Sequence, residues 1–434
     1  MLKHIFTNSA GILLSRILGF IRDLLTASIL GANVYSDIFF IAFKLPNLFR
    51  RIFAEGAFTQ SFIPSYSASK HKIQFSTIIF LQFVGFILVL SLFVTFFANI
   101  ITKFIAVGFD AQTIELASPF VAICFYYLPL IFIVTFLAAL LQYKHHFATT
   151  AFATALLNIA MITALLLSAH LDKKLIVYYL SLGVVFGGIL QVIVHLIAIK
   201  KLNIKFFTTQ ITKSQQSFKQ TKFYKQFYPA VFGSSASHLA AYIDTFLASF
   251  LVSGTISYLY YANRLFQFPL ALFAIATSVA LFPSISKAIK NNDKEKAFLY
   301  LKKSFFILLI LLSVATFIGI VFNHFIVELL FQRGAFGVQD TQNTALILVM
   351  YLIGLIPFGI AKIFSLWLYA NHNQLKAAKI TAISLLSNIV FSVILIIPYQ
   401  ANGLAFASTL SGFVLLHFTL KEFGYDEFFR LIKT

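Results

Sequence analysis

Of 434 residues, 60 % are hydrophobic and only 11 % are charged, where soluble domains carry about 25 % charged residues. Apolar runs of roughly 20 residues recur along the whole length, which excludes a water-soluble globular protein and places the chain in a bilayer. The single cysteine, Cys124, rules out an intramolecular disulfide, and the ten histidines are scattered rather than grouped as metal ligands.

The apolar runs predict twelve helices, centred near residues 20, 41, 88, 131, 159, 188, 240, 270, 313, 355, 387 and 411. The first is expected to be retained. Lys3 could head a signal peptide, but Arg16 and Arg22 interrupt its apolar core and no A-x-A site follows. A net charge of +19 suggests nucleic acid at first sight, but its placement argues otherwise. With the N-terminus in the cytoplasm, 25 of the 33 Lys and Arg fall in cytoplasmic segments and four on the opposite side (Lys103, Lys173, Lys174 and Arg333). The remaining four, Arg16, Arg22, Arg264 and Lys362, lie within helices. That bias is the positive-inside signal. It puts both termini in the cytoplasm and assigns the loop charge to topology and anionic lipid, with no nucleic-acid partner.

The two halves of the chain resemble each other. Residues 23–30 read DLLTASIL and 244–251 read DTFLASFL; 63–70 read IPSYSASK and 282–287 read FPSISK. Residues 143–158 read YKHHFATTAFATALLN and 369–388 read YANHNQLKAAKITAISLLSN. Three matches in the same order, offset by 219–230 residues, indicate a duplicated unit. Six helices per unit is an even number, so both units enter from the same side, as a parallel repeat about an axis along the membrane normal. The expected organisation is an N-terminal six-helix lobe over 1–200, a Lys-rich cytoplasmic linker over 201–228 and a C-terminal six-helix lobe over 229–434. Two such bundles flanking a central cavity form an alternating-access transporter.

The first helix carries charge where a plain span would not. On a wheel at 100° per residue, Asn8, Ser9, Ser15, Arg16, Gly19, Arg22, Asp23 and Thr26 share an arc of about 140°, and Ile12 is the one bulky residue that intrudes before Thr26. Each mid-bilayer charge costs roughly 2.5–3.5 kcal/mol, so the two arginines alone cost about 5–7. The eleven Ile, Leu and Phe residues between 9 and 31 return about 3–7 kcal/mol. The helix is therefore held by packing its stripe inward. Two readings stay open: an anion-binding wall, or an Arg16–Asp23 pair that holds the bundle together and leaves Arg22 without an obvious acidic partner.

Other helices repeat the pattern. Asp37, Lys44 and Asn47 share a face of the second helix, joined by Arg51 if that helix continues past Pro46. In the eighth, Ser257, Tyr260, Asn263, Arg264 and Gln267 fall within about 120°. Asp244 is placed mid-span in the seventh helix and Lys362 near the middle of the tenth, where packing or snorkelling explains it as well as function. Arginine at positions 16, 22 and 264 points to an anion of more than one charge, because the guanidinium offers a planar fork and stays protonated.

The run SRILGFIRDLLTASILGANVYSDIFFIAFKLPNLFRRIFAEGAF, residues 15–58, resembles the N-terminal signature of the MurJ (MviN) lipid II flippases of the MOP exporter superfamily. FKLPNLFRRIFAEGAF is its most specific part, and the continuation TQSFIPSYS also fits. YYANRLFQFP at 260–269 is similar to the family's YYADRL-x-E-FP motif. The resemblance implies an all-α integral membrane fold of two pseudo-two-fold related six-helix bundles around a central cationic cavity, here without the extra C-terminal helices often found in the family. It implies Arg16, Arg22, Asp37, Arg50 and Arg264 as substrate-binding residues. Asp23, Lys44, Arg51, Glu55, Tyr260, Asn263 and Gln267 would support or gate the cavity. Asn263 and Gln267 stand where the family has acidic residues, so Arg264 lacks its usual counter-charges. Asp244, Asn371 and Asn373 are candidate ligands by analogy with a sodium site in some relatives. No cofactor is expected beyond a sodium or chloride ion.

The expected function is that of a flippase, not an enzyme. It would carry the undecaprenyl-pyrophosphate-linked peptidoglycan precursor, lipid II, from the cytoplasmic to the outer leaflet of the bacterial cytoplasmic (inner) membrane. Arg16, Arg22 and Arg264 would meet the pyrophosphate, and Asp37 and Arg50 the headgroup or the cytoplasmic mouth. An interior-negative potential favours outward movement of an anion by about 2.3 kcal/mol per charge per 100 mV, so dependence on potential is expected. No bond is broken, and no Walker A pattern is present. Expected partners are the lipid-linked substrate, membrane lipids and the cell-wall synthesis machinery. The rivals are a flippase for another lipid-linked oligosaccharide and a multidrug or cation antiporter, whose cavity would favour acidic and aromatic residues. A membrane scaffold would need no charged stripe, and a polyprenyl-phosphate enzyme would want clustered acids, whereas the 14 Asp and Glu are dispersed.

Overall fold

The computed structural model describes residues 2–50, 57–209 and 217–433. Among them every regular element is helical. The chain divides into two units, 1–239 and 240–434. The first contains α1 (Leu2–Leu30), α2 (Val34–Phe49), α3 (Ala57–Ala68), α4 (Lys72–Phe96), α5 (Ala98–Ile105), α6 (Ala111–Phe125), α7 (Tyr127–Tyr143), α8 (Ala148–Ser168) and α9 (Lys173–Lys201). Helix α10 (Ser217–Ala248) begins in the first unit and ends in the second. The second continues with α11 (Thr255–Pro269), a π-helical turn (Leu270–Ile275), α12 (Ala276–Lys290), α13 (Lys294–Val321), α14 (Asn323–Phe331), α15 (Val338–Ile353), α16 (Leu355–Ala370), α17 (Gln374–Phe423) and α18 (Tyr425–Lys433).

One element order occurs twice. A long helix is followed by an interrupted span, then a continuous span ending in a short helix, then a second interrupted span, then two long helices. Helix α4 begins at 72 and α13 at 294, α5 at 98 and α14 at 323, α8 at 148 and α17 at 374. The shift is that of the sequence repeats. Helix α17 is two antiparallel helices joined without a loop: Gln400 has φ 49° and ψ −127°, and Ser384 Oγ donates to the Ser411 carbonyl across the pair. All twelve expected centres fall inside helices. Eight stretches among the described residues are long and apolar enough to cross a membrane, with the double helix α17 among them as one stretch.

The repeated YKHH and YANHN segments are helix stops. His145 and His372 adopt φ 58°. His146 N–H reaches the Leu141 carbonyl while His145 N–H reaches Gln142, and Asn373 and His372 do the same to Leu368 and Tyr369. Each is a Schellman motif, which satisfies carbonyls that the helix end would leave open.

Small residues set the helix contacts. Lipid tails are as apolar as the side chains, so spans associate through close packing rather than hydrophobic exclusion. A Cβ at Gly11 would lie 2.7 Å from Ala151 of α8, and one at Gly183 or Gly187 of α9 would lie 2.9 Å from Ala164 or Leu157 of α8. The tightest approach is at Gly403, where a Cβ would meet the Leu395 carbonyl oxygen across the α17 hairpin at 2.1 Å. Gly403→Ala is expected to cost at least about 1–3 kcal/mol of stability, read as a lower Tm in detergent. Gly85→Ala, with nothing within 4 Å of its Cβ, should be neutral or slightly stabilising.

Parts of the expected linker lie on the first unit. Ser76 Oγ donates to the Phe206 carbonyl at 2.7 Å, and Thr208 N–H donates to Thr77 Oγ1 at 3.0 Å. Phe223 and Phe227 of α10 are buried against Phe83 of α4.

Candidate functional site

The buried charge of the first unit sits where α1 meets α8. Arg22 is 8 % exposed and Asp23 is 1 % exposed. Arg22 Nη2 and Nε donate to Asp23 Oδ1 at 2.6 and 3.1 Å, and Nη1 donates to Asn158 Oδ1 at 3.0 Å. The other end of the Asn158 amide donates to the Ser15 carbonyl at 3.0 Å. Phe43 of α2 brings its ring to 6.0 Å from the guanidinium, within cation–π range. Asn158 suits this place because it must accept from a cation on one side and donate to a carbonyl on the other. A buried charge is tolerated when it is paired and its donors are used, and each nitrogen of the Arg22 guanidinium donates here.

The acidic partner in the stripe therefore belongs to Arg22, and the alternative Arg16–Asp23 pair does not form. Seven residues bring those two side chains to one side of the helix but about 10 Å apart along its axis. Arg22 lies close enough to fold back onto its neighbour. The stripe also splits. Gly19, Arg22, Asp23 and Thr26 are buried and Ser15 is half-buried, whereas Arg16 is exposed, together with the intruding Ile12. Burial thus holds for the C-terminal part of the stripe and not for Arg16.

Helix α2 continues through Pro46 to Phe49. Asp37 is buried in its first turn, where a carboxylate complements the helix dipole. Lys44, Asn47 and Arg50 are half-buried farther along. Arg51 and Glu55 lie outside the described residues. In the second unit, Tyr260, Asn263 and Arg264 are half-buried on α11, Gln267 is exposed, and its amide donates to Asn263. Lys362 on α16 is exposed.

Asp244 lies about one turn before the end of α10, level with Asn388 near the middle of the first arm of α17. Its carboxylate only accepts, so the Asn388 amide turns its nitrogen toward it: Asn388 donates to Asp244 Oδ1 at 3.2 Å and accepts from Ser408 Oγ at 3.2 Å. Tyr351 is also beside Asp244 and faces Asn263. Asn371 and Asn373 are elsewhere, in the turn between α16 and α17, where Asn371 Nδ2 donates to the Trp367 carbonyl. At 1.5 Å per residue, Asn388 stands about 22 Å along α17 from Asn373. The three candidate cation ligands therefore do not form one site. Among the described residues, no three His, Cys, Asp or Glu side chains converge as a metal site.

Asn158 is the residue that the sequence reading passes over. The signal was present in the repeat. The blocks that open on Asp23 and Asp244 match, and the blocks that end on Asn158 and Asn388 match. In each unit the aspartate of the first long helix meets the asparagine of the later one, through Arg22 in the first and directly in the second.

Repeated interrupted spans with charge held inside them define an α-helical membrane transport protein rather than an enzyme. Residues 26–431 match the family model of Lipid II flippase MurJ, and the chain belongs to that family. It is 48 % identical over 421 residues to the Probable lipid II flippase MurJ of Helicobacter pylori (strain J99), which covers 94 % of this chain and 92 % of the relative. A solved Lipid II flippase MurJ in an inward closed conformation superposes with a TM-score of 0.84 at 27 % identity, over 98 % of this chain and 89 % of the other. An inward-facing multidrug resistance MATE family transporter of the MOP superfamily gives 0.75 over 99 % of both chains. At 12 % identity that is a likeness of fold alone.

Proposed function

We propose that this protein moves lipid II from the cytoplasmic to the outer leaflet of the bacterial cytoplasmic membrane, by alternating access of lobes over 1–200 and 229–434. The observation that carries this reading is the Arg22–Asp23–Asn158 cluster. It fixes a guanidinium inside a membrane unit before cargo arrives, which reduces the ordering cost of binding. Arg16, exposed on the same helix, supplies a second charge, and a pyrophosphate suits both. Arg50 and Asp37 would meet the headgroup, and Arg264 is the proposed anion contact of the second unit. The distribution of Lys and Arg supports both termini in the cytoplasm. If a sodium ion couples to transport, its carboxylate ligand would be Asp244 with Asn388 and Ser408 beside it, rather than Asn371 or Asn373.

Complementation tests the proposal. Wild type is expected to restore growth of a bacterium depleted of its own lipid II flippase, and Arg16→Ala, Arg22→Ala and Arg264→Ala are expected to fail at equal membrane abundance. Failure of wild type, or full rescue by all three variants, would overturn it.

A further inference from the structure

We propose that α18 is an interfacial anchor, lying in the boundary between headgroups and acyl chains at the lysine-rich end of the second unit. Lipid would cover its exposed apolar strip. On a wheel its nine residues sort into three arcs rather than two. Leu431 and Phe428 face the protein. Leu431 is 2 % exposed, and Phe428 packs edge-on against Phe305 of α13 at 5.7 Å and Phe364 of α16 at 5.5 Å. Tyr425, Phe429 and Ile432 form the next arc, and all three are exposed, Phe429 at 55 %. Asp426, Glu427, Arg430 and Lys433 form the last arc and are exposed as well. A helix on an aqueous surface needs only a packed face and a polar face. An exposed apolar arc continuous with the packed one calls for a neighbour that is not water.

The height of α18 on the unit names that neighbour. Phe305 follows Lys302 and Lys303 and precedes the exposed row Ile307, Ile310, Val314 and Phe317 of α13. The helix thus docks where α13 changes from lysines to apolar outward-facing side chains, which is the level of the headgroups on a membrane span. Trp367, the single tryptophan, belongs to the same layer and packs edge-on against Phe423. Between Phe423 and Tyr425, Gly424 adopts φ 105°, a conformation that favours glycine. It separates α17 from α18 at that level.

The charges on α18 indicate how it attaches. Asp426 and Glu427 lie in the first turn, and Arg430 and Lys433 in the last. They complement the helix dipole and cancel in net charge. Attachment therefore comes from inserted apolar side chains and does not require anionic lipid.

Tryptophan fluorescence of the full chain tests this. In a Trp367→Phe background, Phe429→Trp or Ile432→Trp is reconstituted in phosphatidylcholine vesicles, with and without phosphatidylglycerol. Both reporters are expected to emit at blue-shifted wavelengths. Both should lose more intensity with lipids brominated near the headgroup than near the chain ends, to the same extent with and without phosphatidylglycerol. Glu427→Trp, on the polar arc, should emit as in water and resist quenching. Water-like emission without quenching at both Phe429 and Ile432 would overturn the proposal. So would equal quenching at Glu427, or quenching that needs phosphatidylglycerol. A blue shift that grows with protein density but resists bromine would assign the strip to a second copy and would overturn it too.

Discussion

Replacing Arg22 by alanine is expected to lower the stability of the purified protein by about 3–5 kcal/mol, because removing one partner leaves the other charge buried. Asp23, at 1 % exposure, would lose the two guanidinium contacts at 2.6 and 3.1 Å, and Asn158 would lose its cationic donor. Transport should be abolished as well. Arg22→Lys keeps the charge but replaces the fork with a point, so it should recover part of the stability and little of the transport. Arg16→Ala makes the contrast. Arg16 is exposed, so its removal should leave stability within about 0.5 kcal/mol while still abolishing rescue. Thermal unfolding in detergent beside growth rescue separates the two arginines, and equal losses of Tm for both variants would contradict the geometry described for α1.

Asn158→Leu should have the next largest effect. It removes an acceptor from Arg22 and a donor from the Ser15 carbonyl, at an expected cost of about 1–3 kcal/mol. Asn158→Asp should keep the Arg22 contact and turn the Ser15 contact repulsive, giving a smaller loss. A double-mutant cycle with Arg22→Ala reads the coupling directly. Residues within one hydrogen-bond network couple by about 0.5–3 kcal/mol, and strict additivity would show that Asn158 does not act through Arg22.

The helices were readable in the amino-acid order because length and apolarity are all that a span requires, and every expected centre lies in a helix. The charged stripe of α1 was readable for the same reason: a wheel reports which side a residue faces. It does not report reach along the axis. That is why Arg16 and Asp23 looked like partners, although the nearer Arg22 makes the contact. Asn158 was harder to see, because one amide in an Ala-rich span has no partner on its own helix. Its role depends on α8 lying against α1, with Gly11 against Ala151. The repeat already held the relation, with Asp23 and Asn158 in one half and Asp244 and Asn388 in the other, but only the fold brings the members of each pair together. Asn371 and Asn373 misled for a different reason. They sit at a helix stop, where asparagine is favoured by backbone geometry and capping, not by a ligand.

The most direct measurement follows fluorescently labelled lipid II in vesicles that contain only this protein, read by a membrane-impermeant quencher with and without an imposed potential. Wild type is expected to move the label across the bilayer, faster when the receiving side is positive. Arg16→Ala and Arg22→Ala vesicles should stay at the rate of protein-free vesicles. Movement by both variants at the wild-type rate, or a wild type that moves other lipid-linked anions but not lipid II, would contradict the proposed function.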